Sequence, residues 1–198
     1  MTSFWNERFS KKGYIYGEDP NVFFAEQVSK LKPGNIILPC EGEGRNAVYA
    51  ASLGWDVNAF DSSEAGKAKA IELANKKGVI INYSIEDAIT KTYPENSADV
   101  VAFIFAHFPP EIRKQIHQKA ITWLKPGGKI ILEAFNPQQL GNTSGGPKEL
   151  SLLYMENMIK EDFQVLKTEL IQTVQAELHE GKLHEGIADL IRFVGIKI

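Results

Sequence analysis

Five apolar runs, spaced by amphipathic stretches, set the rhythm of the first two thirds of the chain. The runs are Asn35–Cys40, Asp56–Phe60, Val79–Tyr83, Asp99–Phe105 and Lys129–Phe135, and each reads as a strand. Asp99–Phe105 is nearly all apolar, as a strand buried on both faces requires. The stretches between them carry helical signals. Arg45 to Leu53 ends at Gly54, a natural C-cap, and Ser62 or Ser63 caps a helix that ends near Lys77-Gly78. Pro109-Pro110 opens a helix to Leu124, and Lys125–Gly128 is a tight turn. An earlier helix, Asn21 to Lys30, precedes the turn Pro33-Gly34. Beyond Phe135 the pattern changes. Residues 136–148 read as loop, a short helix follows near Leu150–Ile159, and two strands, Phe163–Glu177 and Gly186–Ile198, flank a hairpin turn at His179–Lys182. Strands alternating with helices and closed by a hairpin predict an α/β fold. Its mostly parallel seven-stranded sheet carries a C-terminal antiparallel hairpin.

Composition narrows the function. The 198 residues suit one domain, 1–198, in which 1–30 forms an N-terminal cap segment and 136–150 a lid loop. A net charge of -3 leaves no electrostatic footprint for nucleic acid or an anionic membrane. The single cysteine, Cys40, excludes an internal disulfide and a cysteine-based zinc site. No apolar run approaches the roughly 20 residues of a membrane helix, and the opening residues do not form a signal peptide. A cytoplasmic protein with a small-molecule substrate, monomeric or weakly dimeric, is the expectation.

The candidate chemistry lies where the first strand breaks. Cys40-Glu41-Gly42-Glu43-Gly44-Arg45-Asn46-Ala47 is a glycine turn that opens a helix, and the next strand ends in Asp61. Gly42 and Gly44 let backbone approach a ligand closely, and a strand-end acid accepts hydrogen bonds from ribose hydroxyls. The turn formally fits a dinucleotide fingerprint, yet a tight turn with no ligand would look the same. Glu41 and Glu43 repel a pyrophosphate and suit a cofactor that carries a sulfonium and an ammonium.

Leu38–Asn46 followed by Val57–Asp61 resembles the first two motifs of class I S-adenosylmethionine-dependent methyltransferases. Ile80–Asp87 is similar to the third, Asp99–His107 to the fourth, and Leu124–Glu133 to the turn and fifth strand. Tyr16–Asn21, Gly44–Ala47, His107–Pro110 and the terminal hairpin resemble the small tellurite-resistance and thiopurine-type branch. The resemblance implies a Rossmann-like doubly wound fold, S-adenosylmethionine as cofactor and no metal. It places Asp61 and Ser62 at the ribose, Ile85, Glu86 and Asp87 around the adenine, and Glu41, Gly42, Gly44 and Phe105 along the rest of the cofactor. The family's early acid and first glycine are replaced here by Leu38 and Cys40, and Pro39 interrupts the strand end.

His107, just past the fourth strand, is the candidate general base or acceptor-orienting group; a structural histidine or a pocket wall is the other reading. Tyr14, Tyr16 and Phe108 are the candidate substrate contacts. The opening aromatics Phe4, Trp5 and Phe9 either cover the cofactor or dock the N-terminus on the core. His117 reads as solvated, and His179 and His184 as polar edges of a turn. Two alternatives stand beside methyl transfer to a small molecule: an NAD(P)-dependent oxidoreductase, and a non-catalytic protein that kept the cofactor site.

Overall fold

A computed structural model describes residues 2–198 of the chain. The seven strands are β1 (Asn35–Pro39), β2 (Asp56–Asp61), β3 (Asn82–Ile85), β4 (Ala98–Ile104), β5 (Leu124–Phe135), β6 (Lys167–His179) and β7 (Glu185–Ile196). The helices are α1 (Thr2–Phe9), α2 (Val22–Val28), α3 (Arg45–Ser52), α4 (Glu64–Lys77), α5 (Pro110–Trp123) and α6 (Glu156–Asp162). They form one sheet in the order β3-β2-β1-β4-β5-β7-β6. The first five strands run parallel, and β7 is antiparallel to both β5 and β6. This is the doubly wound, Rossmann-like arrangement with an antiparallel hairpin that the apolar rhythm predicts.

Side-chain alternation along the central strands feeds two cores. Ile36, Leu38, Val100 and Ala102 point to one face, where Phe24, Val28, Val48 and Leu73 cover them. Ile37, Val101 and Phe103 point to the other, under Ile116, Trp123 and Ile159. Both faces are dry, so the strands need apolar residues at every position. The helix ends follow local chemistry. Asn21 accepts the Phe24 N–H and starts α2, Ser63 accepts the Gly66 N–H and starts α4, and Gly78 closes α4 in a left-handed conformation.

Several boundaries differ from expectation. β3 lies later than Val79–Tyr83, because its register with β2 pairs Asn58 with Asn82 and Asp61 with Ile85. Gly78 ends α4, and the apolar Ile80 that suggested a strand lies exposed in the connection. The expected helix at Leu150–Ile159 is a single 3-10 turn, Leu150–Leu152, followed by α6; the buried Tyr154 separates them. α1 falls in a segment without a capping signal, although Trp5 and Phe9, four residues apart, stack at 5.4 Å on one face. No helix among the described residues is long and apolar enough to cross a membrane.

Candidate functional site

The strand order reverses beside β1, between β2 and β4, and a cleft opens at the carboxyl ends of these strands. Open parallel sheets bind ligands at such a switch point. Backbone strain marks the same place. Among the described residues three non-glycine positions have positive φ, and two of them, Cys40 (55°) and Phe105 (53°), sit at the exits of the neighbouring strands β1 and β4. Both line the cleft. Left-handed conformations in such residues cost about 1–3 kcal/mol and collect at functional sites.

Asp61 ends β2 and faces this cleft. Its Oδ2 accepts the Gly42 N–H at 3.1 Å and its Oδ1 accepts the Ser63 N–H at 2.9 Å. One carboxylate therefore joins the glycine turn to the start of α4. Each oxygen keeps lone-pair capacity for a further donor. Burial raises its pKa, against the lowering pull of these backbone N–H groups. Ser62, Glu86 and Asp87 line the cleft beside it. Ile85 closes β3 opposite Asp61 but does not line the cleft. The Asp87 carboxylate accepts the Ile89 N–H, and Glu86 pairs with Lys91 at 3.3 Å.

The glycine turn is held by its neighbours. Tyr83 donates its hydroxyl to the Gly42 carbonyl at 2.7 Å. Gly44, at φ 87°, is the point where α3 meets α4, and a Cβ there would lie 2.4 Å from the Ala70 Cβ. A Cβ on Gly42 would meet the Phe9 ring at 2.9 Å, so α1 lies directly on the turn. Asn6 anchors α1 there, because its Oδ1 accepts the Ser63 hydroxyl and the Ala65 N–H. Trp5 and Phe9 thereby become walls of the cleft.

The two turn acids point elsewhere, which corrects the expectation that they face the cofactor's positive groups. Glu41 is buried and turns toward α3, where its Oε1 accepts the Ala47 N–H at 2.8 Å. It caps a helix whose own N-cap, Gly44, has no side chain. Burial pushes its pKa up to about 7. Glu43 accepts the backbone N–H groups of Ile15 and Tyr16 and pairs with Lys69 at 2.7 Å, clamping the N-terminal segment to α4.

His107 lines the cleft, but neither ring nitrogen is free to act as a base. Nδ1 donates to the Leu152 carbonyl at 2.6 Å, and Nε2 accepts the Phe135 N–H at 3.2 Å. This pairing requires the neutral ring. Burial holds its pKa down at about 4. The structure makes His107 a brace between the β5 exit and the Leu150–Leu152 turn, with one face as wall. Phe108 also lines the cleft, and its N–H donates to the Tyr154 hydroxyl, which donates in turn to the Ala106 carbonyl.

Tyr14 and Tyr16 do not line the cleft. The Tyr14 hydroxyl donates to the Lys69 carbonyl, and the Tyr16 hydroxyl accepts from Arg8. The Tyr16 ring packs 4.5 Å from His184, which lies 4.5 Å from Phe105, so Tyr16 is two rings behind the cleft wall. His184 is buried rather than a polar turn edge, and so is Glu180. Glu180 binds Arg45 at 2.7 Å and Asn21 at 2.9 Å, locking the hairpin tip onto the start of α3. Sequence reasoning missed this cluster, because its members lie up to 159 residues apart. His117 is likewise buried, not solvated: its Nδ1 meets Asp162 at 2.8 Å, and Arg113 grips the same carboxylate. The 136–150 segment is tied to the hairpin through Gln139, Asn142 and Ser144 and does not border the cleft.

The mixed sheet in this order, the glycine turn after β1 and the acid at the end of β2 are the features that the resemblance in the sequence implies. Comparison with known proteins agrees. Residues 38–128 match the family described as Methyltransferase domain. Phosphoethanolamine N-methyltransferase 1 of Zea mays is 27% identical over 133 residues, covering 65% of this chain and 26% of that protein. The chain thus spans about a quarter of the length of that relative. The crystal structure of TehB from Haemophilus influenzae superposes over 100% of this chain and 67% of its own, with a TM-score of 0.73 at 19% identity. Phosphoethanolamine N-methyltransferase 2 of Haemonchus contortus, in complex with phosphomonomethylethanolamine and S-adenosylhomocysteine, matches with a TM-score of 0.67 at 18% identity over 98% of this chain and 57% of its own. At these identities the two structures speak for the fold. Residues 38–128 thus resemble a methyltransferase domain, and the whole chain shares the fold of the TehB structure.

Proposed function

We propose that this protein binds S-adenosylmethionine in the β1–β2–β4 cleft and transfers its methyl group to a small molecule. The observation that carries the reading is Asp61. It faces the cleft and is hydrogen-bonded to the Gly42 backbone, so the glycine turn and the ribose-accepting acid form one preset unit. The cleft's residues suit the cofactor. Asp61 and Ser62 would hold the ribose hydroxyls, and Asp87 and Glu86 would accept from the adenine amino group. Gly42 and Gly44 do not line the cleft; Gly42 lies under the Phe9 ring and Gly44 against Ala70, so they would act by shaping the turn that holds Asp61. Ile85 would act through its pairing with Asp61, and Phe105 would face the methyl. The cofactor supplies a methyl group on a sulfonium, already activated for displacement. The chain's own work is to align the acceptor and exclude water, and Trp5, Phe9 and Phe105 provide apolar walls for that. Three carboxylates on this cleft, Asp61, Glu86 and Asp87, would repel the pyrophosphate of a dinucleotide, which disfavours the oxidoreductase alternative.

The same reading gives the protein no metal, a cytoplasmic setting, and a monomeric or weakly dimeric state without nucleic-acid partners; the modest net charge of -3 supports the last point. Calorimetry with S-adenosylhomocysteine and with NADH tests the assignment. Binding of the first and not the second is expected, and the reverse would replace the methyltransferase reading by the oxidoreductase one.

A further inference from the structure

The cofactor proposed above ends in a carboxylate, yet no cation stands on the cleft wall to meet it. Among the described lining residues there is no lysine or arginine. Asp61, Glu86 and Asp87 lie at the ends of β2 and β3, the side given to the ribose and adenine. His107 is neutral, with both ring nitrogens bonded to the backbone. On the β1–β4 side the wall is Phe9, lying on Gly42, and Phe105 at the β4 exit.

Two arginines stand behind that side. Arg8 lies over the Trp5 ring, 5.1 Å from its centroid, and its Nη1 donates to the Tyr16 hydroxyl at 2.8 Å. The Tyr16 ring also meets Phe9 edge-on at 6.3 Å. Among the described residues Arg8 has no acid partner, whereas Arg45, Lys69 and Lys91 each have one. Its remaining N–H groups and the Tyr16 O–H have no acceptor among those residues. Arg45 reaches Tyr16 from the other side. It pairs with Glu180 in the hairpin tip, and that tip packs on the Tyr16 backbone: a Cβ on Gly181 would lie 2.8 Å from the Tyr16 carbonyl carbon. Arg45 is buried, and its Nη1 has no partner. A buried N–H without an acceptor is costly, and native chains hold few of them. Burial raises the pKa of the Tyr16 hydroxyl, while Arg8 and Arg45 both pull it down, so both charges act on one point.

We infer that Arg8, Tyr16 and Arg45 form an anion site behind the β1–β4 side of the cleft, which takes a carboxylate or a like oxyanion. Guanidinium groups hold carboxylates through charge-assisted N–H bonds, and the phenol adds a further donor. The site rests on the methyltransferase reading above. Its carboxylate has two sources, the amino-acid end of the cofactor or an acid group on the methyl acceptor.

The test is calorimetry on wild type and Arg8→Met with S-adenosylhomocysteine and its decarboxylated analogue, in which the amino-acid end is a bare amine. Melting curves confirm the fold. Wild type that binds neither ligand would overturn the methyltransferase reading, and this inference would fall with it. With the cofactor's carboxylate in the site, wild type binds S-adenosylhomocysteine about tenfold or more tighter than the analogue. Arg8→Met then reduces that ratio to about twofold or less, with affinity for the analogue unchanged. With the acceptor's acid in the site, wild type binds the two ligands alike. The protein saturated with S-adenosylhomocysteine then binds benzoate in saturation-transfer NMR, and Arg8→Met abolishes the signal. A ratio or a benzoate signal that survives in Arg8→Met would overturn the inference and leave the methyltransferase reading standing. So would a wild type that neither prefers S-adenosylhomocysteine nor binds benzoate. Arg45→Lys keeps the pair with Glu180 but removes the unpartnered N–H, and should lower the same reading about threefold; Tyr16→Phe takes its place if that variant does not fold. No change in the variant used would overturn the three-residue site.

Discussion

The two halves of the strand-end rim are built in different ways. On the β1–β2 side, Asp61 is bonded to Gly42 and Ser63, and Glu41 to Ala47, by hydrogen bonds that span between 2 and 19 residues. On the β4 side, Phe105, His107 and Phe108 are placed by Leu152, Tyr154 and Phe135, through bonds that span 28 to 48 residues. The first half is polar and carries its own geometry in a short motif. The second is aromatic and takes its geometry from packing. A cleft-facing acid can thus sit in a local motif, whereas the aromatic wall opposite depends on the whole fold.

The contrast can be broken from either side. The largest effect is expected at Tyr154, which is fully buried and bridges Ala106 and Phe108. Tyr154→Ala should lower unfolding free energy by about 3–5 kcal/mol. Tyr154→Phe, which leaves the Phe108 N–H without its partner, should cost about 1–3 kcal/mol. Urea titrations read both, and a loss under 1 kcal/mol for the alanine variant would show that the β4 rim does not depend on this bridge. Next is Gly44→Ala, where the added carbon would meet the Ala70 Cβ at 2.4 Å on a left-handed backbone. We expect a cost of about 2–4 kcal/mol. Gly42→Ala meets only the tip of the Phe9 ring and should cost less. The same titrations rank the two glycines, and the reverse order would contradict the helix-contact role given to Gly44.

A smaller effect comes from Glu41, whose folded pKa of about 7 lies above its ordinary 4.5. A raised carboxyl means that the folded state binds more protons than the unfolded one across this window. Its contribution to stability therefore falls as pH rises from about 4.5 to 7. Glu41→Gln keeps an acceptor for the Ala47 N–H and removes the titration. It should gain about 2–3 kcal/mol on the wild type between pH 4 and pH 8. His107 acts in the opposite sense: with its pKa held down at about 4, its contribution is lost as pH falls from 6.5 toward 4. Melting curves of both proteins across that range are the check, and parallel curves would show that Glu41 does not titrate as described.

How much of this was legible follows from the same contrast. The apolar runs locate the central strands closely, because both faces of β1, β4 and β5 are covered, whereas β3, half exposed at the sheet edge, lies later than its apolar run. The Gly42–Asp61 unit is legible because glycine turn and strand-end acid are short-range chemistry. Glu41 was legible only as a turn acid; its direction depends on α3 needing a cap that Gly44 does not provide. The second bond of His107, to the Phe135 N–H, exists only once β4 and β5 lie side by side. The hairpin cluster of Glu180, His184 and Arg45 joins segments 135 residues apart, and no local pattern announces it.

Cofactor affinity in two single variants tests the central claim most directly. S-adenosylhomocysteine is titrated calorimetrically into wild type, Asp61→Asn and His107→Ala, with melting curves to confirm folding. Asp61→Asn keeps an acceptor oxygen but loses the charge, and should weaken binding at least tenfold, about 1.4 kcal/mol. His107→Ala should leave affinity within about twofold, because its ring nitrogens serve the backbone. Unchanged binding in Asp61→Asn would contradict the account by removing Asp61 from the ribose.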